Sequence, residues 1–297
     1  MKIKTKNRLN REKFGIFTSI LLVFLCLYAL SMIVTIGWGF LTSFKYQWDF
    51  RMNVIGLPEE WAWNYGTVAK MFYVDIDTPN GTQSVYVVKL FLNGFLYALG
   101  CAFTNTLVPC VTAYMCAKFS YKYSKVLYTI VIVTMILPII GSMPSEIQVA
   151  KFFNLYDHIW GLWLMKANFL GMYFLVFHGM AKSIPDAYSE AAKIDGAGNL
   201  TILIKIIFPV IKNTFLTVML INFISFWNDY SIPQVYLPSY PTIAFGVLYM
   251  SITSQNEMST IPMRMTSAMM ALVPVLILFL CFHNKLLGNL TVGGIKG

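Results

Sequence analysis

Six runs of apolar residues govern what this chain can fold into. They fall at 15–44, 90–117, 126–144, 159–181, 211–232 and 267–282, and a helix needs about 20 residues to cross a bilayer core. In lipid, backbone N–H and C=O groups have no water to turn to, so such runs predict helices that satisfy their own hydrogen bonds. The expected fold class is therefore all-α: a polytopic membrane protein with six transmembrane helices in one domain, 15–297, preceded by a basic segment, 1–14. Composition agrees, at 57% hydrophobic and 12% charged, which is far from the balance of a soluble domain.

The formal charge of +9 would suit a nucleic-acid partner, but its distribution supplies another cause. With the N-terminus inside, fifteen of the 22 Lys and Arg fall on cytoplasmic pieces, six on external pieces, and Lys166 inside the fourth run. An excess of positives on the cytoplasmic side is the usual orientation signal. Both termini are thus expected in the cytoplasm, and no nucleic acid is implied. The apolar stretch after residue 14 is too long for a signal-peptide core and has no clear small-residue cleavage site, so it is read as an uncleaved first span. The five cysteines sit in or beside apolar runs without a spacing that suggests zinc or disulfides.

Two stretches between the runs carry information. The external loop, 45–89, is rich in aromatics, including Trp48, Trp61, Trp63, Tyr65, Tyr73 and Tyr86. These suit either an interfacial belt or a surface on which sugar rings stack, and Asn80-Gly81 marks a turn. The second stretch, 183–209, is built like a short helix outside the membrane. Ser183 can cap it, Pro185 suits a first turn, Asp186 completes a capping-box spacing, and Gly196 can end it in a left-handed conformation. Pro209 is expected to interrupt backbone pairing before the fifth span. On the helix, Glu190 stands beside the small residues Ala191 and Ala192, which suits close approach by a partner; an amphipathic helix lying on lipid headgroups is the plainer alternative.

Glu190-Ala191-Ala192, then Gly196, then Ile206 and Phe208-Pro209, resembles the EAA motif of the permease subunits of ABC importers over twenty positions. Phe208 stands where that family usually has Leu. The resemblance extends along the chain to the maltose-type carbohydrate permeases, through Trp63-Asn64-Tyr65, Phe226-Trp227-Asn228-Asp229 and the ending over 291–297. It implies that Glu190, Ala191, Ala192 and Gly196 form a coupling helix seated on a cytoplasmic ATPase. It implies also that the C-terminal tail, 288–297, with Gly293, Gly294 and Lys296, reaches the ATPase dimer interface, although a frayed terminus would explain those residues as well. The implied partners are a homologous permease subunit, two cytoplasmic ATPase subunits and an extracytoplasmic solute-binding protein. The implied cargo is a sugar, expected to be an oligosaccharide, and the implied setting is the multi-pass proteins of a prokaryotic cell membrane. The external run 238–264 would meet the binding protein.

No stretch matches the phosphate-binding loop of an ATPase, so the chain itself is expected to hold no cofactor, ATP being bound by the partner ATPase. No metal site and no catalytic constellation are expected, since the three histidines are scattered, and His178 is read as a packing residue. For the sugar path the candidates are Trp227, Asn228, Asp229 and Lys166, with helix packing equally able to account for the first three. Lys166, roughly 12 Å from the external end of its run, either snorkels to the surface or pairs with an acid of a partner. Otherwise it faces the cavity and favours an acidic sugar. Asn93, Asn105, Asn168 and Asn222 are read as interhelical hydrogen-bonding groups. Pro138, Pro144 and Glu146 mark either a gate or a plain helix end. An ion-coupled secondary transporter is the rival function, but it would be expected to show more intramembrane carboxylates and an inverted repeat. A membrane-embedded enzyme is more distant.

Overall fold

The computed structural model describes residues 15–78, 81–119, 122–137, 141–253 and 256–290. In chain order the elements are α1 (Ile16–Thr42), α2 (Gln47–Met52), α3 (Asn64–Met71), β1 (Tyr73–Thr78), β2 (Gly81–Tyr86), α4 (Val87–Lys118), α5 (Lys122–Ile136) and α6 (Met143–Phe152). They continue as α7 (Ile159–Met165), α8 (Met172–Ser183), α9 (Ala187–Ile194), α10 (Asn199–Ile202), a π-helical turn (Leu203–Ile207), α11 (Phe208–Asn228), α12 (Ser231–Tyr236), α13 (Ile243–Ile252) and α14 (Ile261–Leu290). A short 3-10 turn (Asn256–Ser259) precedes α14.

Among the described residues, four helical stretches are long and apolar enough to cross a membrane: Ile16–Thr42, Val87–Lys118, Asn199–Asn228 and Ile261–Phe282. The runs at 126–144 and 159–181 take other forms. The first becomes α5, of 15 residues, followed by α6, where Pro144 stands in the first turn. Proline at that position lacks only an N–H that the helix does not use, so Pro144 begins a helix rather than ending one; Pro138 lies outside the described residues. The second is not a continuous helix. Residues 166–171 separate α7 from α8, with Gly171 at φ +115°, a conformation that side chains rarely adopt. Asn168 fills part of the gap, its Oδ1 accepting the Leu170 N–H at 3.1 Å. Average hydropathy does not register such a break, because Gly and Asn dilute an apolar run only slightly.

α4 organises the rest. Its 32 residues span about 48 Å, and it packs most extensively on α11 and α8, with further contacts to α7, α13 and α5. Its buried face includes Gly94, Ala98, Cys101, Ala102 and Ala113, small side chains that let helix backbones approach in lipid. Polar bonds fix the register across that face. Asn105 Nδ2 donates to Asn222 Oδ1 at 3.2 Å, and Asn222 Nδ2 donates to Thr106 Oγ1 at 3.0 Å. Asn93 Nδ2 donates to Pro241 O at 3.0 Å. By contrast α1 is exposed from 15 to 36 and turns toward α14 only beyond.

Outside the long helices, the all-α expectation is corrected at one place. β1 and β2 pair antiparallel, from Tyr73 opposite Tyr86 to Thr78 opposite Gly81. The alternation that sets this hairpin is visible in hindsight, since Val74, Ile76 and Val85 point into the core while Asp75, Asp77 and Ser84 do not. Lower in the same loop, Asn64 Nδ2 donates to Ser43 O and Lys45 O, satisfying carbonyls just past the end of α1. Phe44 gathers Trp61, Trp63 and Tyr65, with ring centroids 5.2–6.4 Å apart.

The turn into α7 is tightly closed. A Cβ on Gly161 would stand 2.0 Å from Leu155 O, a backbone atom that cannot swing aside. Nothing lies within 4 Å of the same position on Gly179. We expect Gly161→Ala to cost about 1–3 kcal/mol by overpacking, read as a lower thermal midpoint of the purified protein in detergent. Gly179→Ala should match the wild type. Equal midpoints for both variants would show that the α6–α7 turn yields easily.

Candidate coupling surface and pathway

The segment 183–209 folds as a short helix, α9, set between α8 and the long helix that begins at Asn199. α8 ends at Ser183, whose Oγ donates back to Met180 O at 2.8 Å. Ser183 therefore closes α8 and does not cap α9, which corrects the expected capping box. Asp186 takes the N-cap position without a side-chain cap bond; its carboxylate is drawn instead to Lys118, with Nζ–Oδ1 at 2.7 Å. At the other end the expected left-handed residue is present, Gly196 at φ +80°. The chain then closes on the helix, Gly196 N donating to Lys193 O at 3.0 Å and Ala197 N to Ala192 O at 2.9 Å.

This geometry sorts the four candidate residues. Ala192 is buried and belongs to one apolar cluster with Cys110, Ala113 and Tyr114 of α4 and Phe177 and Ala181 of α8. Glu190, Ala191 and Gly196 are exposed. So are Ala187, Tyr188, Lys193 and Ile194, the last at 87%, so α9 presents small and apolar side chains outward beside one acid and one cation. Sequence reasoning did not include Ile194, although its spacing of three from Ala191 was the available signal. Lys118 was also missed as a partner of this segment, because 68 residues separate it from Asp186. A cavity of about 180 Å³ opens between the end of α4, α9 and α10, lined in part by Lys118, Ser189 and Glu190. Beyond α10, Pro209 does not interrupt the helix as expected. The missing N–H is absorbed by the π-helical turn just before it, and the long helix runs without a gap from Asn199 to Asn228.

The candidate pathway residues are brought to one end of the bundle but do different things. Trp227 is buried between Phe91 and Phe223, and its Nε1 donates to Ala271 O on α14 at 3.0 Å. Asn228 is exposed, with Nδ2 donating to Ile224 O at 2.9 Å. Asp229 accepts from Tyr97 OH at 3.1 Å and, through its other oxygen, from Ser231 N, Ser231 Oγ and Ile232 N. It thereby caps α12. Lys166, at the end of α7, is half-buried. Both Lys166 and Asp229 are within electrostatic reach of Cys101, yet among the described residues no carboxylate lies within 4 Å of the Lys166 ammonium. Near them, Tyr236 OH donates to Glu146 Oε2 at 3.3 Å, and burial, then the Glu146 charge, pushes its phenol up. That bond ties Glu146 to α12. His178 packs against Tyr128 and Phe174. Gly293, Gly294 and Lys296 lie outside the described residues, and among the described residues no group of three or more His, Cys, Asp or Glu side chains could hold a metal.

Comparison with known proteins places this arrangement. The melibiose/raffinose/stachyose import permease protein MelC of Bacillus subtilis (strain 168) is 27% identical over 214 residues, which cover 67% of this chain and 77% of that protein. The probable starch degradation products transport system permease protein AmyC of Thermoanaerobacterium thermosulfurigenes is 25% identical over 259 residues, covering 86% and 88%. The fold is shared with a chain of a bacterial ABC transporter involved in import of the acidic polysaccharide alginate, at a TM-score of 0.74 and 22% identity over 91% of this chain and 96% of that one. The family described as the binding-protein-dependent transport system inner membrane component matches residues 110–286, a stretch that holds the last nine residues of α4, α9 and the whole of α11. The chain belongs to that family of membrane permease components.

Proposed function

We propose that this chain is the permease subunit of a binding-protein-dependent ABC importer for a sugar, of the oligosaccharide class, in a prokaryotic cell membrane. The single observation that carries the proposal is α9: a short helix outside the long apolar helices, anchored inward by Ala192 and presenting Glu190, Ala191 and Ile194 outward. Two relatives, one named for import of melibiose, raffinose and stachyose and one for transport of starch degradation products, support the cargo class. In this reading the chain crosses the membrane six times with both termini inside, α5 and the broken pair α7–α8 supplying the third and fourth crossings. A homologous permease completes the pathway, two ATPase subunits bind ATP and receive α9, and a solute-binding protein delivers sugar to the external face. Gly293, Gly294 and Lys296 would reach the ATPase interface. An ion-coupled secondary transporter would leave the outward face of α9 without a use.

Alternating access then follows from ordinary mechanics. Closure of the ATPase pair on ATP displaces α9, which is continuous with α8 through Ile184 and with α11 through α10. Because those helices pack on α4, displacement at the cytoplasmic end tilts the pathway walls. On the sugar side, Asn228 and Lys166 are the candidates with exposed or half-exposed polar groups. Trp227 and Asp229 form the packed wall behind them.

Glu190→Lys reverses the charge on the docking face, and Gly196→Pro forbids the positive φ. We expect each to lower sugar uptake at least about tenfold at normal membrane insertion, as loss of a buried interface charge contact does. Retained co-purification of the ATPase with unchanged uptake in both variants would overturn the assignment of α9.

The half-buried ammonium of Lys166, with no carboxylate within 4 Å among the described residues, supports selection of an acidic sugar, since a fixed cation offsets the cost of desolvating a carboxylate. Uptake of matched neutral and acidic oligosaccharides by Lys166→Met is therefore expected to fall about tenfold for the acidic one and little for the neutral one. Equal loss for both, or loss for neither, would contradict charge selection at this residue.

A further inference from the structure

We propose that Lys118 is a positioning residue for energy coupling: it ties the cytoplasmic end of α4 to the start of α9, so that displacement of α9 is delivered directly to the central helix. The proposal rests on the reading of α9 as the coupling helix. In the chain α9 is linked covalently only to α8 and, through α10 and the π-helical turn, to α11. Nothing covalent carries its movement to α4, the helix on which both α8 and α11 pack.

Among the described residues, two kinds of non-covalent link are present. One is apolar, the contact cluster that holds Ala192 with Cys110, Ala113 and Tyr114. Such contacts are non-directional and allow small side chains to slide. The other is directional. Lys118, the last residue of α4, donates from Nζ to both Ile184 O and Asp186 Oδ1, the second at 2.7 Å. Its side chain is 7% exposed whereas that of Asp186 is 74% exposed. The cation is thus fixed within the bundle and the acid sits on the segment that enters α9.

Position adds to this. The carboxyl end of α4 favours a cation, so the ammonium is held by its own helix as well as by the linker. An ammonium that is nearly buried is costly without its partners, so Lys118 resists separation from Ile184 and Asp186. Its two bonds therefore fix the distance between α4 and the first turn of α9, where the apolar cluster alone leaves it adjustable. Lys118 touches neither sugar nor nucleotide; it acts on the reaction through α9.

The test uses the assembled importer in liposomes, with its binding protein, and reads sugar transported per ATP hydrolysed. Lys118→Met is expected to lower that ratio at least about fivefold, the lower end of ordinary coupling energies, while ATP hydrolysis and co-purification of the ATPase stay near wild type. Lys118→Arg keeps the charge and both donors and should restore the ratio. Asp186→Asn alters only the exposed end and should give a smaller fall in the same direction, which keeps the test usable if Lys118→Met does not insert. An unchanged ratio in the Lys118→Met and Asp186→Asn variants would overturn the proposal, as would a parallel fall in hydrolysis and transport. Failure of the α9 assignment itself is seen separately: Glu190→Lys would then transport normally.

Discussion

The fold depends on how one long helix is held in a solvent that offers it no hydrogen bonds. α4 meets its backbone needs internally, and its association with neighbours comes from close packing and a few polar contacts rather than from exclusion of water. Small residues at Gly94, Ala98, Ala102 and Ala113 admit the neighbouring helices, and the Asn105–Asn222–Thr106 chain fixes the register with α11. From this helix the structure branches: α7, α8 and α11 lie against it, and α13 and the hairpin pack on it as well. The carboxyl end of α4 meets the start of α9 through Lys118 and Asp186, so packing and proposed coupling share an axis.

Much of this was legible in the residues. Length and hydropathy located α1, α4, α11 and α14 because uninterrupted apolar runs have one stable form in lipid. Gly196 signalled its positive φ because glycine ends a helix in the left-handed conformation at least steric cost. Other features were hidden for physical reasons. The break between α7 and α8 depends on backbone geometry at Gly171 and a bond from Asn168, neither of which changes the mean hydropathy of the run. The hairpin rests on a short alternation of Val74, Ile76 and Val85 that is easily lost in a loop crowded with aromatics. Ser183 looked like a cap for the helix after it, yet it serves the helix before it, because its hydroxyl lies nearer Met180 O. The link from Lys118 to Asp186 joins positions far apart in the chain, which no local pattern reveals.

The candidate site divides along the same line. Of the proposed coupling face, Glu190 and Ala191 stand exposed together on α9 as their order in the sequence suggests, whereas Ala192 faces inward. The pathway was less readable, since polar side chains in membrane helices serve packing and recognition alike. Trp227 has its indole N–H committed to Ala271 O, and Asp229 spends both carboxylate oxygens on Tyr97 and the start of α12. Trp227 and Asp229 are thus committed to packing, whereas Asn228 is exposed and Lys166 half-buried.

The central claim is that this permease works by ATP-driven movement of α9. It is tested most directly by uptake of an oligosaccharide into liposomes that hold the chain with its partner permease and ATPase. The account predicts uptake that requires ATP on the ATPase side and binding protein on the other, and that persists when ionophores collapse every ion gradient. Uptake that continues without ATP and disappears with the ion gradient would contradict it.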